Sequence, residues 1–289
     1  MRSANLAGRL VLLDSHDRAV DVEKASGGRF PAAPQAVYAR WREFRAWAQG
    51  ADLPAGEPFD PRDLGAPAPE PRQVLAVGLN YRDHAAESGL GVPDTMPPVF
   101  TKFATSISGP VSEVVLPDGG HTDWEVELVA VIGADARHVR ESEAWAYVAG
   151  LTVGQDISER LTQLQGPAPQ FSLGKSLPGF TPTGPWLVTP DEFADPDDLQ
   201  LSCAINGEQM QKSRTANLIF SVPRLVAELS AVLPLLAGDI LFTGTPGGVG
   251  LGRDPQRWLT PGDELVSRVE GIGELRQTFV AGPRTAAAG

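Results

Sequence analysis

The chain has 289 residues, of which 42% are hydrophobic and 21% charged, so it is long enough to bury one substantial core. Its 36 acidic and 24 basic residues give a formal net charge of −12, which argues against binding to nucleic acid or to an anionic membrane surface. The apolar run Leu10–Leu13 is too short for a signal peptide, and no run approaches the ~20 residues of a membrane span, so we expect a cytoplasmic protein. The single cysteine, Cys203, excludes internal disulfides and cysteine-cluster metal sites.

The N-terminal part of the chain is predicted to form a small α/β domain that, with its linker, spans residues 1–66. Arg9–Leu13 is typical of a strand. Apolar residues at helical spacing predict a helix within Pro34–Ala48, namely Val37, Tyr38, Trp41, Phe44 and Ala48. Pro54–Pro71 contains six prolines, which interrupt helices and central strands, and we interpret it as a linker or an extended crossing. The main domain would then occupy residues 67–289.

The stretch Asp123–Gly133 combines a strand pattern with carboxylates at positions that are expected to be buried. Apolar residues alternate along it, and Glu125 and Glu127 share one face with apolar residues further along. Two carboxylates ~5 Å apart at an effective dielectric of ~20 repel by roughly 3 kcal/mol before any desolvation cost. Either this is an edge strand whose glutamates are solvated or paired with arginines, or a divalent metal lies between them. A third carboxylate, Asp156, follows the apolar run Val148–Gly154 and favours the metal site.

A second set of candidate residues follows the short apolar strand predicted at Val74–Gly78. His84 and Glu87 are three residues apart, which places them on one face of a helical turn and lets the carboxylate orient the imidazole. This is the arrangement of a general base. The segment Gly89–Pro93 follows at once and is predicted to be a mobile surface segment that closes over a site.

An ordered series of short motifs runs through the chain from Gly78 onwards. The motifs are Gly78–Ala85 (GLNYRDHA), Asp123–Leu128 (DWEVEL), Gln155–Arg160 (QDISER), Gly174–Ser176 (GKS), Gly184–Trp186 (GPW), Ile205–Glu208 (INGE) and Gly238–Gly250 (GDILFTGTPGGVG). This series resembles the fumarylacetoacetate hydrolase family from roughly residue 70 to the end, and such a series is more specific than any one motif.

The resemblance implies an α+β fold in which mixed β-sheets form a sandwich-like barrel, here the catalytic domain of residues 67–289. It also implies a divalent cation, usually Mg²⁺ or Mn²⁺ (or Ca²⁺ in a crystal), held by three carboxylates. By motif these are Glu125, Glu127 and Asp156. Ligation by oxygen alone agrees with a hard cation. A homodimer is implied as well.

The resemblance also assigns roles around the cation. His84 and Glu87 would form a water-activating dyad on a segment that orders over the substrate, with Lys175 as a further catalytic residue. The positions that match the substrate site are Arg160, Gln163 and Thr245. A lysine and an arginine can stabilise carboxylate or enolate oxygens, and a hydroxyl beside a glycine-rich turn can donate to them.

Some of these residues have plainer interpretations when they are taken alone. Arg160 would be a surface arginine, and Gly244–Gly252 would be a structural turn, because Gly and Pro mark turns so readily. Gly174–Ser176 does not have the spacing of a phosphate-binding loop, since the position five before Gly174 is Pro169.

The predicted function is hydrolysis of a carbon-carbon bond next to a carbonyl in a keto or diketo acid, with no nucleic-acid or membrane partner. Decarboxylation of an oxaloacetate-type acid, a hydratase or isomerase activity, and a non-catalytic metal-dependent binding protein are the alternatives; the His84 and Glu87 pair argues against the last. The substrate stays open between an acylpyruvate, another β-diketo acid, oxaloacetate and a sugar-derived diketo acid. Departures from the family at Ala104, Leu161 and Leu177–Pro178 are expected to affect the pocket.

The remaining segments are interpreted as scaffold. A helix is predicted after Ser221, whose hydroxyl would cap it. Ile240–Phe242 is expected to be a buried strand and Glu264–Glu270 a half-exposed one. Asp191–Asp198 is interpreted as a solvated acidic loop, and Thr285–Gly289 as disordered.

Overall fold

The computed structural model describes residues 1–87, 91 and 94–283. The disordered stretch predicted at Thr285–Gly289, and all of the predicted mobile segment Gly89–Pro93 except Gly91, lie outside these residues. The α-helices are α1 (Val22–Ala25), α2 (Trp41–Gly50), α3 (Arg82–Glu87), α4 (Arg160–Gln163) and α5 (Val222–Val232). The 3₁₀ helices are Pro34–Arg40, Pro61–Asp63, Ala104–Ser106, Glu141–Tyr147, Pro190–Glu192 and Thr215–Asn217.

The strands are numbered in chain order. They are β1 (Arg2–Leu6), β2 (Arg9–Leu13), β3 (Ala19–Asp21), β4 (Leu64–Gly65), β5 (Val74–Val77), β6 (Val99–Thr101), β7 (Ile107–Ser108), β8 (Val111–Leu116), β9 (Thr122–Asp123), β10 (Val126–Ile132), β11 (Val148–Gln155), β12 (Ser158–Glu159), β13 (Thr181–Val188), β14 (Gln200–Ile205), β15 (Glu208–Arg214), β16 (Ile240–Phe242), β17 (Glu264–Val269) and β18 (Gly273–Ala281).

In the described part of the chain the strands form two large sheets and one small one. The larger sheet has eleven strands in the order β3-β2-β1-β13-β11-β10-β16-β5-β6, with β4 added on β1 and β7 on β13. The second sheet has the order β15-β14-β17-β18-β8, and β12 pairs with β9. Parallel pairs, such as β16 with β5, occur beside antiparallel ones, such as β10 with β11. These mixed sheets with few helices confirm the predicted α+β class.

Strand β10 is buried along its whole length, which explains why its sequence is apolar on both faces. Leu128, on one face, belongs to the same hydrophobic cluster as Leu201 and Leu265 of the five-stranded sheet. Val131, on the other face, joins a cluster that includes Phe44 of α2. Because β10 pairs with β11 on one side and β16 on the other, the edge-strand alternative is wrong.

The N-terminal segment extends the eleven-stranded sheet. β1 pairs antiparallel with β13, with Ser3 opposite Leu187. The strand predicted at Arg9–Leu13 is β2 with the same bounds, and the helical stretch predicted within Pro34–Ala48 consists of a 3₁₀ helix followed by α2. A domain boundary at residue 66 stays a prediction.

Several scaffold predictions are confirmed. α5 begins after Ser221, whose hydroxyl accepts a hydrogen bond from the Arg224 N–H. Ile240–Phe242 is the buried strand β16, and Glu264–Val269 is the half-exposed strand β17. Cys203 is a buried free thiol on β14. Among the described residues, no helix has both the length and the apolar character needed to cross a membrane.

Gly154 of β11 lies opposite Glu127, and an added Cβ there would come within 2.4 Å of Val129 Cγ2 and 2.6 Å of Phe242. Because β10 and β16 already fill this space, we expect Gly154→Ala to lower the free energy of unfolding by about 1–3 kcal/mol, measured by urea denaturation. Gly50→Ala at the end of α2 is the matched control, since nothing lies within 4 Å of the added Cβ. Equal effects of the two substitutions would contradict this account.

Candidate metal and active site

Three acidic side chains meet where β10 begins and β11 ends. Glu125 lies just before β10 and Asp156 just after β11. Glu127 is the second residue of β10 and pairs with Gly154 of β11. The antiparallel pairing of the two strands therefore brings the three acids together. The Asp156 backbone N–H donates to the Glu125 carbonyl oxygen at 2.9 Å. A carboxylate oxygen from each residue lies within 4.8 Å of the others, and all three residues are buried. The structure therefore brings together the three residues predicted as metal ligands.

Two of these carboxylates are paired with buried cations. Lys175 Nζ lies 2.7 Å from Glu125 Oε2 and 2.7 Å from Asp156 Oδ2. Lys102 Nζ lies 2.5 Å from Asp156 Oδ1, and Arg160 Nη2 lies 2.7 Å from Glu125 Oε1. Burial acts to raise the pKa of Glu125, but Lys175 and Arg160 outweigh it and lower that pKa to about 2. Glu125 is therefore an anion at neutral pH.

The two buried lysines differ in their protonation chemistry. Burial acts to lower the pKa of both ammonium groups. For Lys175 the carboxylates of Asp156 and Glu125 outweigh burial, so its pKa is raised and the group is a charged donor. For Lys102 the effect of burial is larger than that of the Asp156 carboxylate, so the pKa of the Lys102 ammonium group is lowered. Lys102 also donates to the Lys175 carbonyl oxygen, so it holds both Asp156 and the backbone that carries Lys175.

Glu127 has no cationic partner among the described residues. Its carboxylate accepts a hydrogen bond from the Gly244 N–H at 2.7 Å, while burial, Asp156 and Glu125 together raise the pKa of Glu127 well above its usual value. The buried charged groups of the cluster are four carboxylates and three cations: Asp123, Glu125, Glu127 and Asp156, with Lys102, Arg160 and Lys175. If all seven groups are ionised, the carboxylates exceed the cations by one, and the raised pKa of Glu127 shows that its charge is unfavourable without a further cation.

This excess charge fits a divalent cation. The Tyr81 hydroxyl is also buried without a hydrogen-bond partner in the described part of the chain, and burial followed by the charge of Glu127 raises the pKa of Tyr81. Buried polar groups without partners are rare in native proteins, so this one points to a missing group nearby. A donor set made only of carboxylates suits a hard cation such as Mg²⁺ or Mn²⁺.

Asp123 is a buried acid that holds Arg160 and a glycine-rich turn, and its role was not predicted from the sequence. Its carboxylate accepts from Arg160 Nε at 2.9 Å and Nη2 at 2.6 Å. It also accepts from the N–H groups of Gly250 at 2.6 Å and Leu251 at 2.9 Å. Arg160 Nη1 donates to Gln163 Oε1 at 2.8 Å. The surface interpretation of Arg160 is therefore wrong, because its guanidinium is buried against two carboxylates and an amide.

The predicted dyad lies on α3. His84 Nδ1 is 3.5 Å from Glu87 Oε2, as the three-residue spacing predicts. Glu87 also accepts from the Gly248 N–H at 3.0 Å. Burial acts to raise the pKa of Glu87, but the contacts with His84 and Gly248 outweigh it, so this pKa lies below its usual value. Glu87 is thus an anion that can orient and stabilise a protonated imidazole.

Thr245 is fixed by contacts that the sequence did not reveal. Its hydroxyl donates to the Val126 carbonyl oxygen at 2.9 Å and accepts from Gln211 Nε2 at 2.8 Å. The hydroxyl proton that was expected to reach the substrate is therefore directed to the backbone of β10. Gln211 Oε1 accepts from the Val126 N–H at 3.0 Å, so one amide side chain holds both the strand and the turn.

A cavity of about 410 Å³ lies over the cluster. Its polar lining consists of predicted site residues: His84, Glu87, Glu125, Arg160, Gln163, Lys175 and Thr245. Glu127 and Asp156 do not line the cavity, although both belong to the same acidic cluster as Glu125. A larger and more open cavity, of about 890 Å³, lies between α2 and the end of β10 and contains none of these residues. The smaller cavity is therefore the candidate site.

The positions where the sequence departs from the family pattern do not line this cavity. Leu161 is 52% exposed on the outer side of α4, and Ala104 and Leu177–Pro178 are likewise absent from the lining. The expectation that these departures shape the pocket is therefore not supported. The pocket is shaped instead by residues such as Phe100 and Phe171, which sequence analysis did not single out.

Comparison with known proteins agrees with the site. Residues 73–280 match the family model for the C-terminal domain of fumarylacetoacetate (FAA) hydrolase. The 2,4-didehydro-3-deoxy-L-rhamnonate hydrolase of Sphingomonas sp. (strain SKA58) is 46% identical over 240 residues, which are 81% of this chain and 83% of that protein. The mitochondrial oxaloacetate tautomerase Fahd2a of Rattus norvegicus is 44% identical over 211 residues, 73% of this chain and 67% of that protein.

Among solved structures, the maleylpyruvate hydrolase from Sphingobium sp. SYK-6 in complex with manganese(II) ion and pyruvate superposes with a TM-score of 0.79 at 28% identity. The match covers 98% of this chain and 100% of that one. The relatives thus include hydrolases and tautomerases, and the resemblance seen in the sequence motifs is confirmed. This chain belongs to the fumarylacetoacetate hydrolase family of enzymes.

Proposed function

We propose that this chain is a metal-dependent hydrolase that cleaves the carbon-carbon bond next to a carbonyl in a 2,4-diketo acid of the acylpyruvate type. The observation that carries the proposal is that one cavity is lined both by the His84 and Glu87 pair and by Lys175, which contacts two members of the acidic triad. Family membership and the hydrolases among its relatives support it further.

Glu125, Glu127 and Asp156 are proposed to hold the cation, Mg²⁺ or Mn²⁺. The negative excess of the cluster and its all-oxygen donor set support this choice, as does the manganese in the related maleylpyruvate hydrolase. When bound, such a cation supplies Lewis-acid polarisation of the oxygens of a chelating keto acid.

The side chains of this protein would perform the remaining steps. A water oxygen adds to the acyl carbonyl carbon while His84 takes the proton of the water, and Glu87 stabilises the resulting imidazolium. The bond between that carbon and the methylene group then breaks. Its electron pair stays on the keto-acid fragment as an enolate, whose oxygens Lys175 and Arg160 can stabilise. The His84 imidazolium returns its proton to the enolate carbon, which yields pyruvate, and the acyl fragment leaves as a carboxylic acid that loses its proton to water.

A tautomerase activity is the second candidate, and the 44% identity to oxaloacetate tautomerases favours it. Such a reaction moves a proton between carbon and oxygen through the same enolate but breaks no carbon-carbon bond. A decarboxylase would also use this enolate and needs no activated water. Product analysis separates the three, since only the hydrolase releases pyruvate together with a second carboxylic acid.

The proposed assembly is a homodimer in the cytoplasm, which rests on the resemblance to the family. Sedimentation equilibrium at working concentration measures the mass directly. We expect about twice the mass of one chain, and a particle of 30.7 kDa would reject the dimer.

Replacing Glu127 with Gln tests the metal site. The amide oxygen can still accept from the Gly244 N–H, so the fold is retained, but the charge available to a cation is lost. We expect the affinity for Mn²⁺, measured by isothermal titration calorimetry, to fall at least ~100-fold. Asp239→Asn is the control, because Asp239 is a buried acid outside the cluster that contacts Gln73. Unchanged Mn²⁺ affinity in Glu127→Gln would remove Glu127 from the ligand set.

Replacing His84 with Ala tests the dyad. We expect pyruvate release from acetylpyruvate to fall by ~10²–10⁴-fold, the usual contribution of a positioned acid or base, while the Mn²⁺ affinity stays unchanged. The exposed His16→Ala serves as the control. A hydrolysis rate that His84→Ala does not alter would exclude His84 as the general base.

A further inference from the structure

The cavity has an apolar wall that begins beside the catalytic lysine. Lys175 Nζ lies 5.2 Å from the centre of the Phe100 ring, and Phe100 packs edge to face against Phe171 with ring centres 5.6 Å apart. Leu164 and Leu251 line the same cavity. Leu164 is 46% exposed, so the apolar wall extends from the lysine to the cavity mouth.

The cations that line the cavity are already paired. Arg160 is held by Asp123 and Glu125, and Lys175 by Glu125 and Asp156. Arg253 donates to the carbonyl oxygens of Met210 and Gly248, and it does not line the cavity. Within the described residues, therefore, no further cation faces the apolar wall.

The segment next to the dyad does not supply a cation either. Between Arg82 and Lys102 the sequence contains no lysine and no arginine. A negatively charged group placed against Phe100 and Phe171 would thus lose its water, and the nearest cation, Lys175, is already paired with Glu125 and Asp156. Burying an unpaired carboxylate is strongly unfavourable, whereas burying methylene groups there is favourable.

We propose that the acyl end of the substrate is uncharged and apolar, so that the enzyme acts on 2,4-diketo acids whose only carboxylate is the one at the keto-acid end. This inference rests on the proposed hydrolase function and deepens it. The keto-acid carboxylate meets the charged cluster, and the acyl chain lies along Phe100, Phe171 and Leu164. A cavity of about 410 Å³ has room for such a chain, because pockets for small molecules span roughly 300–1,000 Å³.

The test compares acylpyruvates that differ only in the acyl group. Pyruvate release is measured with acetylpyruvate, butanoylpyruvate, hexanoylpyruvate and succinylpyruvate, the last two being similar in size but different in charge. We expect kcat/KM to rise about three- to fourfold for each methylene that becomes buried. We expect it to be at least ~10-fold lower for succinylpyruvate than for hexanoylpyruvate.

Two substitutions and one control locate the effect on the wall. Leu164→Arg places a cation at the mouth and should raise the succinylpyruvate to hexanoylpyruvate ratio of kcat/KM at least ~10-fold. Leu161→Arg is the matched control, because Leu161 is 52% exposed on α4, the short helix that ends just before Leu164, but does not line the cavity; the ratio should not change in this variant. Phe171→Ala should lower kcat/KM for hexanoylpyruvate more than for acetylpyruvate.

The outcomes separate this inference from the function on which it rests. Succinylpyruvate turned over as well as or better than hexanoylpyruvate would overturn the apolar acyl site and leave the hydrolase intact. An equal change of the ratio in Leu164→Arg and Leu161→Arg would also overturn it. Release of pyruvate from none of the acylpyruvates, with Mn²⁺ bound, would reject the hydrolase itself and the inference with it.

Discussion

The burial of four carboxylates in one place is the constraint on which the rest of the structure depends. Each charge loses its hydration, so the cluster is stable only where cations and N–H groups replace the water. The cations come from three different segments of the chain, and each forms an ion pair with an acid near β10 or β11: Lys102, Arg160 and Lys175. Removing one partner from such a pair typically costs about 3–5 kcal/mol, so the cluster fixes these segments relative to the central strands.

Two carboxylates, one from this cluster and one from the dyad, also fix the glycine-rich turn that forms one side of the cavity. Asp123 accepts from the N–H groups of Gly250 and Leu251, and Glu87 accepts from the Gly248 N–H. Space is tight here: a Cβ on Gly250 would lie 2.0 Å from the Arg257 carbonyl oxygen. Glycine is therefore required by close backbone approach. This turn thus connects Glu87 of the dyad to Asp123, which holds Arg160. A displacement of the turn would therefore change the positions of both the dyad and Arg160.

Sequence analysis identified the acids because they lie within or next to apolar runs that are expected to be buried, and such local patterns are what a single sequence displays best. It did not identify Lys102 or Asp123 as structural partners. Lys102 pairs with Asp156 and Asp123 pairs with Arg160, and both partners are distant in the sequence, so no local pattern indicates these contacts. Arg160 could not be recognised as buried for the same reason. Of the N-terminal strands only β2 was predicted, at Arg9–Leu13. β1 and its pairing with β13 were not predicted, because local pattern does not specify which strand a sheet edge accepts.

The charge balance of the cluster also bears on turnover under the proposed function. If all seven buried groups are ionised, the four carboxylates exceed the three cations by one charge, and a bound divalent cation would change this balance to one positive charge. A substrate with a single carboxylate neutralises it. Hydrolysis would then create a second carboxylate, and the cations that line the cavity among the described residues, Arg160 and Lys175, are already paired with acids of the cluster. The product state is therefore less well accommodated than the substrate state, and the same distribution of charge that admits a monoanionic diketo acid favours the departure of its two acidic products.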